Sequence, residues 1–141
     1  MKNCFIRPWK NAFKFEGRAN RAEYWALMAT SIVGTMAIFA LMVFLEQFWL
    51  MIPYGAWVLI CTVTAFSASV RRLHDINASG WWMIGPSLIY VISTILESVI
   101  HDGAMMIAML VLSTVLNLAF IVAMAWKGTT GPNRFGPQPG G

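Results

Sequence analysis

The residues best suited to chemistry form one continuous run, Arg71-Arg72-Leu73-His74-Asp75. On a helix, Arg71 shares a face with His74 and Asp75, three and four positions later, so its guanidinium and the carboxylate can pair. Such a set can act as a structural clasp, as a lipid or phosphate site, or as a His–Asp pair that handles protons. The nearby Trp81-Trp82 pair offers indole faces on which an arginine packs favourably.

A second polar cluster occupies residues 17–25. Asn20, followed three positions later by Glu23, fits a capping box in which each side chain bonds the other's backbone N–H at a helix start. With its aromatic neighbours the cluster predicts a capped helix anchored at the membrane interface. The alternative is a surface for anionic lipid headgroups, since each basic residue near a membrane contributes about 1 kcal/mol of attraction.

We expect the two clusters to meet at the cytoplasmic rim of the membrane. Their acidic and basic side chains should then pair with one another, with Glu16 as a further carboxylate, and pack against the two tryptophans. The predicted clasp or headgroup site comprises Arg18, Arg21, Glu23, Arg71, Arg72, His74, Asp75, Trp81 and Trp82.

Other kinds of site are not indicated, and we expect no catalytic residues, cofactor or metal ion. His74 and His101 should lie on opposite sides of the membrane, and one His with one Asp does not make a tetrahedral metal site. The run 127–131 has its lysine before its glycines, the reverse of a phosphate-binding loop. No serine stands with a histidine and an acid in a spacing that predicts a catalytic triad.

The elements that position these residues follow from composition. Hydrophobic residues make up 58% of the 141 and charged residues 11%, against roughly 25% charged in soluble domains. A membrane span needs about 20 apolar residues. Four stretches qualify or nearly qualify, at about 22–45, 50–71, 80–98 and 103–126, and the third is the shortest. The tail, 128–141, is rich in glycine and proline and is expected to be irregular.

The distribution of the ten lysines and arginines predicts the orientation. Six precede the first span, two separate the second from the third, and two follow the fourth. The two other connections, 46–47 and 98–102, hold none. Because short loops rich in Lys and Arg stay in the cytoplasm, both termini should be cytoplasmic. The same bias explains the net charge of +4 without a nucleic-acid partner.

The predicted spans have few polar groups at mid-membrane. Asn117 is the one strongly polar side chain deep in a span, and we expect it to hold helices together. The absence of mid-span ionisable residues argues against an ion or solute pathway. Gly34 and Gly55 are positions where helices can approach closely.

The segment before the first span is partly amphipathic. Phe5, Trp9 and Phe13 recur every four residues, and Lys10 and Lys14 fall on another face. This pattern predicts a helix that lies in the headgroup layer of the membrane.

Three motifs carry a family resemblance. They are Phe15-Glu16-Gly17-Arg18-Ala19-Asn20-Arg21-Ala22-Glu23-Tyr24-Trp25, the run 71–75 followed by Ser79-Gly80-Trp81-Trp82, and Gly128-Thr129-Thr130-Gly131-Pro132-Asn133-Arg134-Phe135-Gly136-Pro137. In this order they resemble the opening, central and closing motifs of the bacterial membrane family called domain of unknown function 805. The resemblance implies a small multi-pass protein of the bacterial inner membrane, and it implies no reaction.

The sequence therefore predicts an all-α polytopic membrane protein, a single domain of four transmembrane helices with an N-terminal interfacial helix. The expected function is that of a non-catalytic inner-membrane protein with a polar working surface at the cytoplasmic rim. Its expected partners are the lipid bilayer, anionic lipid headgroups, and a second copy or other membrane proteins. The alternative is a small solute or ion transporter or channel that acts as an oligomer.

Overall fold

The computed structural model describes residues 3–99 and 103–139, and every regular element within these ranges is helical. The α-helices are α1 Asn3–Lys10, α2 Arg21–Leu45, α3 Met51–Asp75, α4 Ile84–Val99 and α5 Gly103–Ala125. Short 3-10 helices, Phe48–Leu50 and Gly80–Met83, lead into α3 and α4. The all-α class predicted from the sequence is confirmed.

Three of the described helices are long and apolar enough to cross a bilayer. They are Arg21–Leu45, Phe48–Asp75 and Gly103–Ala125, with mean hydropathies of 2.2, 1.6 and 2.4. The remaining apolar stretch, Gly80–Leu96, is a shorter helix. Three of the four predicted spans therefore correspond to helices of spanning length.

The start of α2 agrees with the predicted cap only in part. The Asn20 side chain accepts a hydrogen bond from the Glu23 backbone N–H at 2.7 Å, as an N-cap does. The Glu23 carboxylate does not bond back to complete the capping box, because it lies buried against α3. Pro53 occupies the first turn of α3, where its missing N–H costs no hydrogen bond.

Helices α2 and α3 pack closely where a glycine meets an indole. A Cβ on Gly34 would lie 2.5 Å from the ring of Trp57, whose indole N–H donates to Thr35 Oγ1 at 3.1 Å. Gly55, the second glycine singled out in the sequence, has nothing within 4 Å of its Cβ position. The predicted close approach therefore holds at Gly34 and not at Gly55.

The buried core gathers at one end of the molecule, where α2 begins and α3 and α5 end. Its buried members are Tyr24, Leu27, Ala68, Leu73 and Met124. Elsewhere the long helices expose most of their apolar side chains, as membrane-facing surfaces do. The buried core therefore lies at the end where charged side chains are also buried.

Two predicted contacts differ in the structure. Helix α1 ends at Lys10, so Phe13 lies beyond it and is exposed, while Trp9 stacks on Trp57 with ring centroids 5.5 Å apart. The predicted Phe5, Trp9 and Phe13 face is therefore not continuous. Among the described residues Asn117 makes no hydrogen bond to another helix, because it is exposed and its side chain donates to Ser113 O in its own helix at 2.8 Å.

Candidate functional site: a buried charge cluster

The carboxylate of Asp75, the last residue of α3, holds two arginines. Its Oδ1 accepts from Arg18 Nε at 3.0 Å and lies 2.9 Å from Arg18 Nη2. Its Oδ2 accepts from Arg72 Nη1, one helical turn earlier. The side chains of all three are nearly excluded from solvent. Buried charges are tolerated where they are paired and hydrogen-bonded, and this set meets that condition.

Arg72 also caps another helix. Its Nε donates to Met124 O at 2.9 Å, and its Nη2 donates to Trp126 O. These carbonyls lie at the C-terminal end of α5, where helix carbonyls lack partners within the helix and carry partial negative charge. One guanidinium therefore ties the ends of α3 and α5 together.

Arg71, by contrast, binds a side chain of α2. Its Nη1 donates to Glu23 Oε1 at 2.8 Å, with both side chains at most 4% exposed. The Arg71–Asp75 pair expected from helical spacing is therefore wrong: both oxygens of Asp75 are taken by Arg18 and Arg72. Arg71 Nε and Nη2 have no hydrogen-bond acceptor among the described residues. We call Arg18, Glu23, Arg71, Arg72 and Asp75 the charge cluster.

The C-terminal tail is irregular, as predicted, but it is bound to the charge cluster. The backbone N–H and the hydroxyl of Thr129 donate to Asp75 O at 2.9 and 3.0 Å. Arg18 donates to the carbonyls of Thr129 and Gly131 at 2.5 and 2.6 Å. A Cβ on Gly128 would collide with the Asp75 carboxylate, so the chain passes where only glycine fits.

His74 is engaged by backbone and tail and not by its acidic neighbour. Its Nδ1 lies 3.1 Å from Gly17 O, and its ring stacks on Phe135 with centroids 3.9 Å apart. Asn133 Nδ2 donates to His74 O at 2.8 Å. Because the Asp75 carboxylate binds two arginines, the structure does not assemble a His74–Asp75 proton-handling pair.

Three of the predicted residues lie outside the site that the charge cluster forms with His74. Trp81 and Trp82 are 77% and 70% exposed, so they do not cover the buried guanidinium groups, and the expected packing of arginines on these indoles is wrong. Arg21 is exposed, and so is Glu16, the further carboxylate. The described site therefore brings together Arg18, Glu23, Arg71, Arg72, His74 and Asp75.

The sequence interpretation missed the tail residues that complete the site. Gly128, Thr129 and Asn133 bind or adjoin the end of α3, more than 50 positions earlier in the chain. Helical periodicity cannot predict contacts from an irregular segment. The available signal was the density of Gly, Thr, Asn and Pro after α5, which are residues that form tight turns.

A basic cleft adjoins the charge cluster on the side of the N-terminal segment. Its volume is about 260 Å³. We define it by its lining residues Arg7, Asn11, Lys14, Glu16, Gly17, Arg18, Arg71, Pro137, Gln138 and Pro139. The lining has four basic residues and one acidic residue, and two of the basic residues, Arg18 and Arg71, are paired with Asp75 and Glu23. No group of three His, Cys, Asp or Glu within the described ranges is placed to hold a metal ion.

Comparisons with known proteins agree with this architecture. Residues 12–137 match the family model described as "Protein of unknown function (DUF805)". The chain is 30% identical to Inner membrane protein YhaH of Escherichia coli K12, over 96% of this chain and 94% of that protein. It is also 30% identical to Inner membrane protein YhaI of the same strain, over 96% and 93%. No solved structure matches the chain. The matched region includes the charge cluster and the tail that binds it, and the chain belongs to the DUF805 family.

Proposed function

We propose that this chain is a non-catalytic protein of the bacterial inner membrane whose working surface is the polar end formed by the charge cluster and the basic cleft. In this proposal the chain crosses the membrane four times, with α4 as the additional span. Both termini and the polar end face the cytoplasm, and α1 lies at the interface. The names of the two relatives support the location.

The observation that carries the proposal is the concentration of packing and charge at one end of the helices. Arg72 joins α3 to α5, and Arg71 joins α3 to α2. Gly80, at the entry to α4, lies so close to α3 that a Cβ there would be 2.8 Å from Val70. Four helix ends and the tail thus converge on one polar surface. A surface held this firmly is suited to presenting fixed groups to a ligand.

Transport by an oligomer is the alternative, and one observation favours it. Asn117 is exposed on the apolar helix α5. A strongly polar side chain on a lipid-facing surface gains by binding a second copy. Our proposal nevertheless predicts no pathway, because charged residues in the described helices lie at their ends and not at mid-membrane.

The test is a proton-leak assay on the purified protein in liposomes. Under an imposed pH gradient, a trapped pH-sensitive dye should respond at the rate of empty vesicles. A response at the rate of empty vesicles supports a protein that does not transport protons. A faster response in the wild type that is lost in Asn117→Leu would overturn the proposal in favour of an oligomeric transporter.

A further inference from the structure

We propose that the basic cleft is a binding site for a phosphate-bearing anion, with Arg71 as its central ligand. This inference rests on the proposed function, since it names what the polar surface binds. The chemistry of the ligand is a phosphate group, supplied either by an anionic phospholipid headgroup or by a free phosphate compound.

The unpartnered edge of Arg71 is the first argument. Nε and Nη2 together form one edge of a guanidinium, and that edge presents two parallel N–H groups that match two oxygens of a phosphate. In Arg71 both atoms are buried and lack an acceptor among the described residues, while Nη1 is taken by Glu23. Buried charged donors without acceptors are costly, so an anion at this edge removes a penalty that the folded chain otherwise carries.

The surrounding groups supply the second argument. Arg7 and Lys14 line the same cleft as Arg71, and both are exposed. Lys14 can therefore move toward a ligand without breaking a buried contact. Arg7 is already held beside the site, because its Nε lies 3.9 Å from Oε2 of the buried Glu23, the partner of Arg71. Arg18 contributes charge alone, because its donors are taken by Asp75 and by the tail carbonyls. The only carboxylate in the lining is Glu16.

The size and position of the cleft limit the ligand. A volume of about 260 Å³ holds a phosphate group with a few attached atoms, while pockets for drug-sized molecules are usually larger, at roughly 300–1,000 Å³. The walls come from the N-terminal segment, the end of α3 and the tail. If this end lies at the cytoplasmic interface, it is within reach of both lipid headgroups and dissolved anions.

The experiment measures binding to the full-length protein in nanodiscs, with two sources of phosphate. Inorganic phosphate is titrated against protein in zwitterionic phosphatidylcholine nanodiscs, and retention of phosphatidylglycerol is measured by native mass spectrometry from mixed nanodiscs. We expect binding in at least one arm. Binding of phosphate alone identifies a dissolved ligand, and binding of phosphatidylglycerol, displaced by phosphate or not, identifies a headgroup.

The variants separate a built site from general attraction of anions to a basic surface. Lys14→Gln and Arg7→Gln change exposed residues of the cleft and should weaken binding by roughly tenfold each, as expected for loss of a charge-assisted hydrogen bond. Lys10→Gln is the matched control, because Lys10 is an exposed lysine of the same segment outside the cleft lining. Arg71→Lys keeps the charge facing Glu23 but lacks the two-donor edge, and it should lose most of the binding.

The outcomes distinguish this inference from the proposed function. No binding in either arm, or equal weakening by Lys10→Gln and Lys14→Gln, would overturn the phosphate site. Neither result affects the proton-leak assay, on which the proposed function depends. If Arg71→Lys fails to fold, the comparison of Lys14→Gln with Lys10→Gln still decides the matter.

Discussion

At the scale of single residues, Asp75 connects three parts of the chain through its carboxylate and its backbone carbonyl. Its carboxylate holds Arg18 and Arg72, and its carbonyl accepts two hydrogen bonds from Thr129. Removing the carboxylate leaves two buried guanidinium groups with one fewer acceptor each. In other proteins, breaking a buried ion pair by removing one partner costs about 3–5 kcal/mol.

We therefore expect Asp75→Asn, which preserves the shape of the side chain, to destabilise the protein by about 3 kcal/mol. The measurement is thermal unfolding of the purified protein in detergent. Glu46→Gln, which changes an exposed carboxylate at the other end of α2, should leave the melting temperature unchanged. An unchanged melting temperature in Asp75→Asn would show that the charge cluster does not hold the fold.

Gly128 gives a second test at the same scale. A methyl group there would overlap the Asp75 carboxylate, which the two arginines hold in place. Gly128→Ala should cost about 1–3 kcal/mol, as overpacking usually does, and should expose the tail to limited proteolysis. Gly103→Ala is the control, since nothing lies within 4 Å of that Cβ position. Equal stability of the two variants would contradict the close passage of the tail.

Much of the charge cluster could be predicted at residue level, including ion pairs between the two motifs, but the individual partners could not. Six members of the final site lie in two sequence motifs, and the basic residues of both motifs predict that they share one face of the membrane. The helical spacing of four residues predicted an ion pair between Arg71 and Asp75. In the structure Arg71 binds Glu23, and Asp75 binds Arg18 and Arg72. The choice depends on which helix each face meets, and that information lies in tertiary packing.

At the scale of elements, α2 and α3 pack closely because Gly34 of α2 lies against the indole ring of Trp57 of α3. Trp57 stacks on Trp9 and donates a hydrogen bond to Thr35, so its ring cannot move aside without losing both contacts. The Cβ of any residue larger than glycine at position 34 would meet that ring at 2.5 Å. This is the helix approach that small residues permit within membranes.

We expect Gly34→Val to lower stability by about 1–3 kcal/mol, while Gly55→Val should be nearly neutral. The two substitutions are matched, since both place a β-branched side chain in an apolar helix, and only Gly34 faces a neighbour. Thermal unfolding in detergent and the yield of monodisperse protein check the prediction. If Gly55→Val is the more damaging of the two, the packing of α2 on α3 described above is wrong.

The element boundaries show where sequence patterns succeed. As expected, Asn20 caps α2 and Pro53 lies in the first turn of α3, because capping and the missing proline N–H act within one turn. Helix α1 was less predictable, since its four-residue aromatic repeat continues past Lys10 while the helix does not. Three aromatic residues at a spacing of four are too few to distinguish a helix from a short turn. In the structure Trp9 is held by its stacking contact with Trp57.

At the scale of the whole molecule, the helices divide into a polar, well-packed end and a long apolar remainder. The charge cluster, the buried core and the basic cleft all lie where α2 begins and α3 and α5 end. The apolar remainder of the long helices is exposed and fits a bilayer. Membership of the DUF805 family and similarity to two inner membrane proteins agree with this division. Our proposal places this polar end on the cytoplasmic side of the membrane.

The most direct test is the topology of the chain in living cells, measured with paired reporters that are active on one side of the membrane only. Reporters are fused after Gly141 and inserted within residues 98–102. With four spans and all basic loops inside, the Gly141 fusion should report the cytoplasm and the 98–102 insertion the opposite side. A cytoplasmic signal from the 98–102 insertion would contradict the four-span arrangement, and a Gly141 signal from outside would place the charge cluster on the wrong face of the membrane.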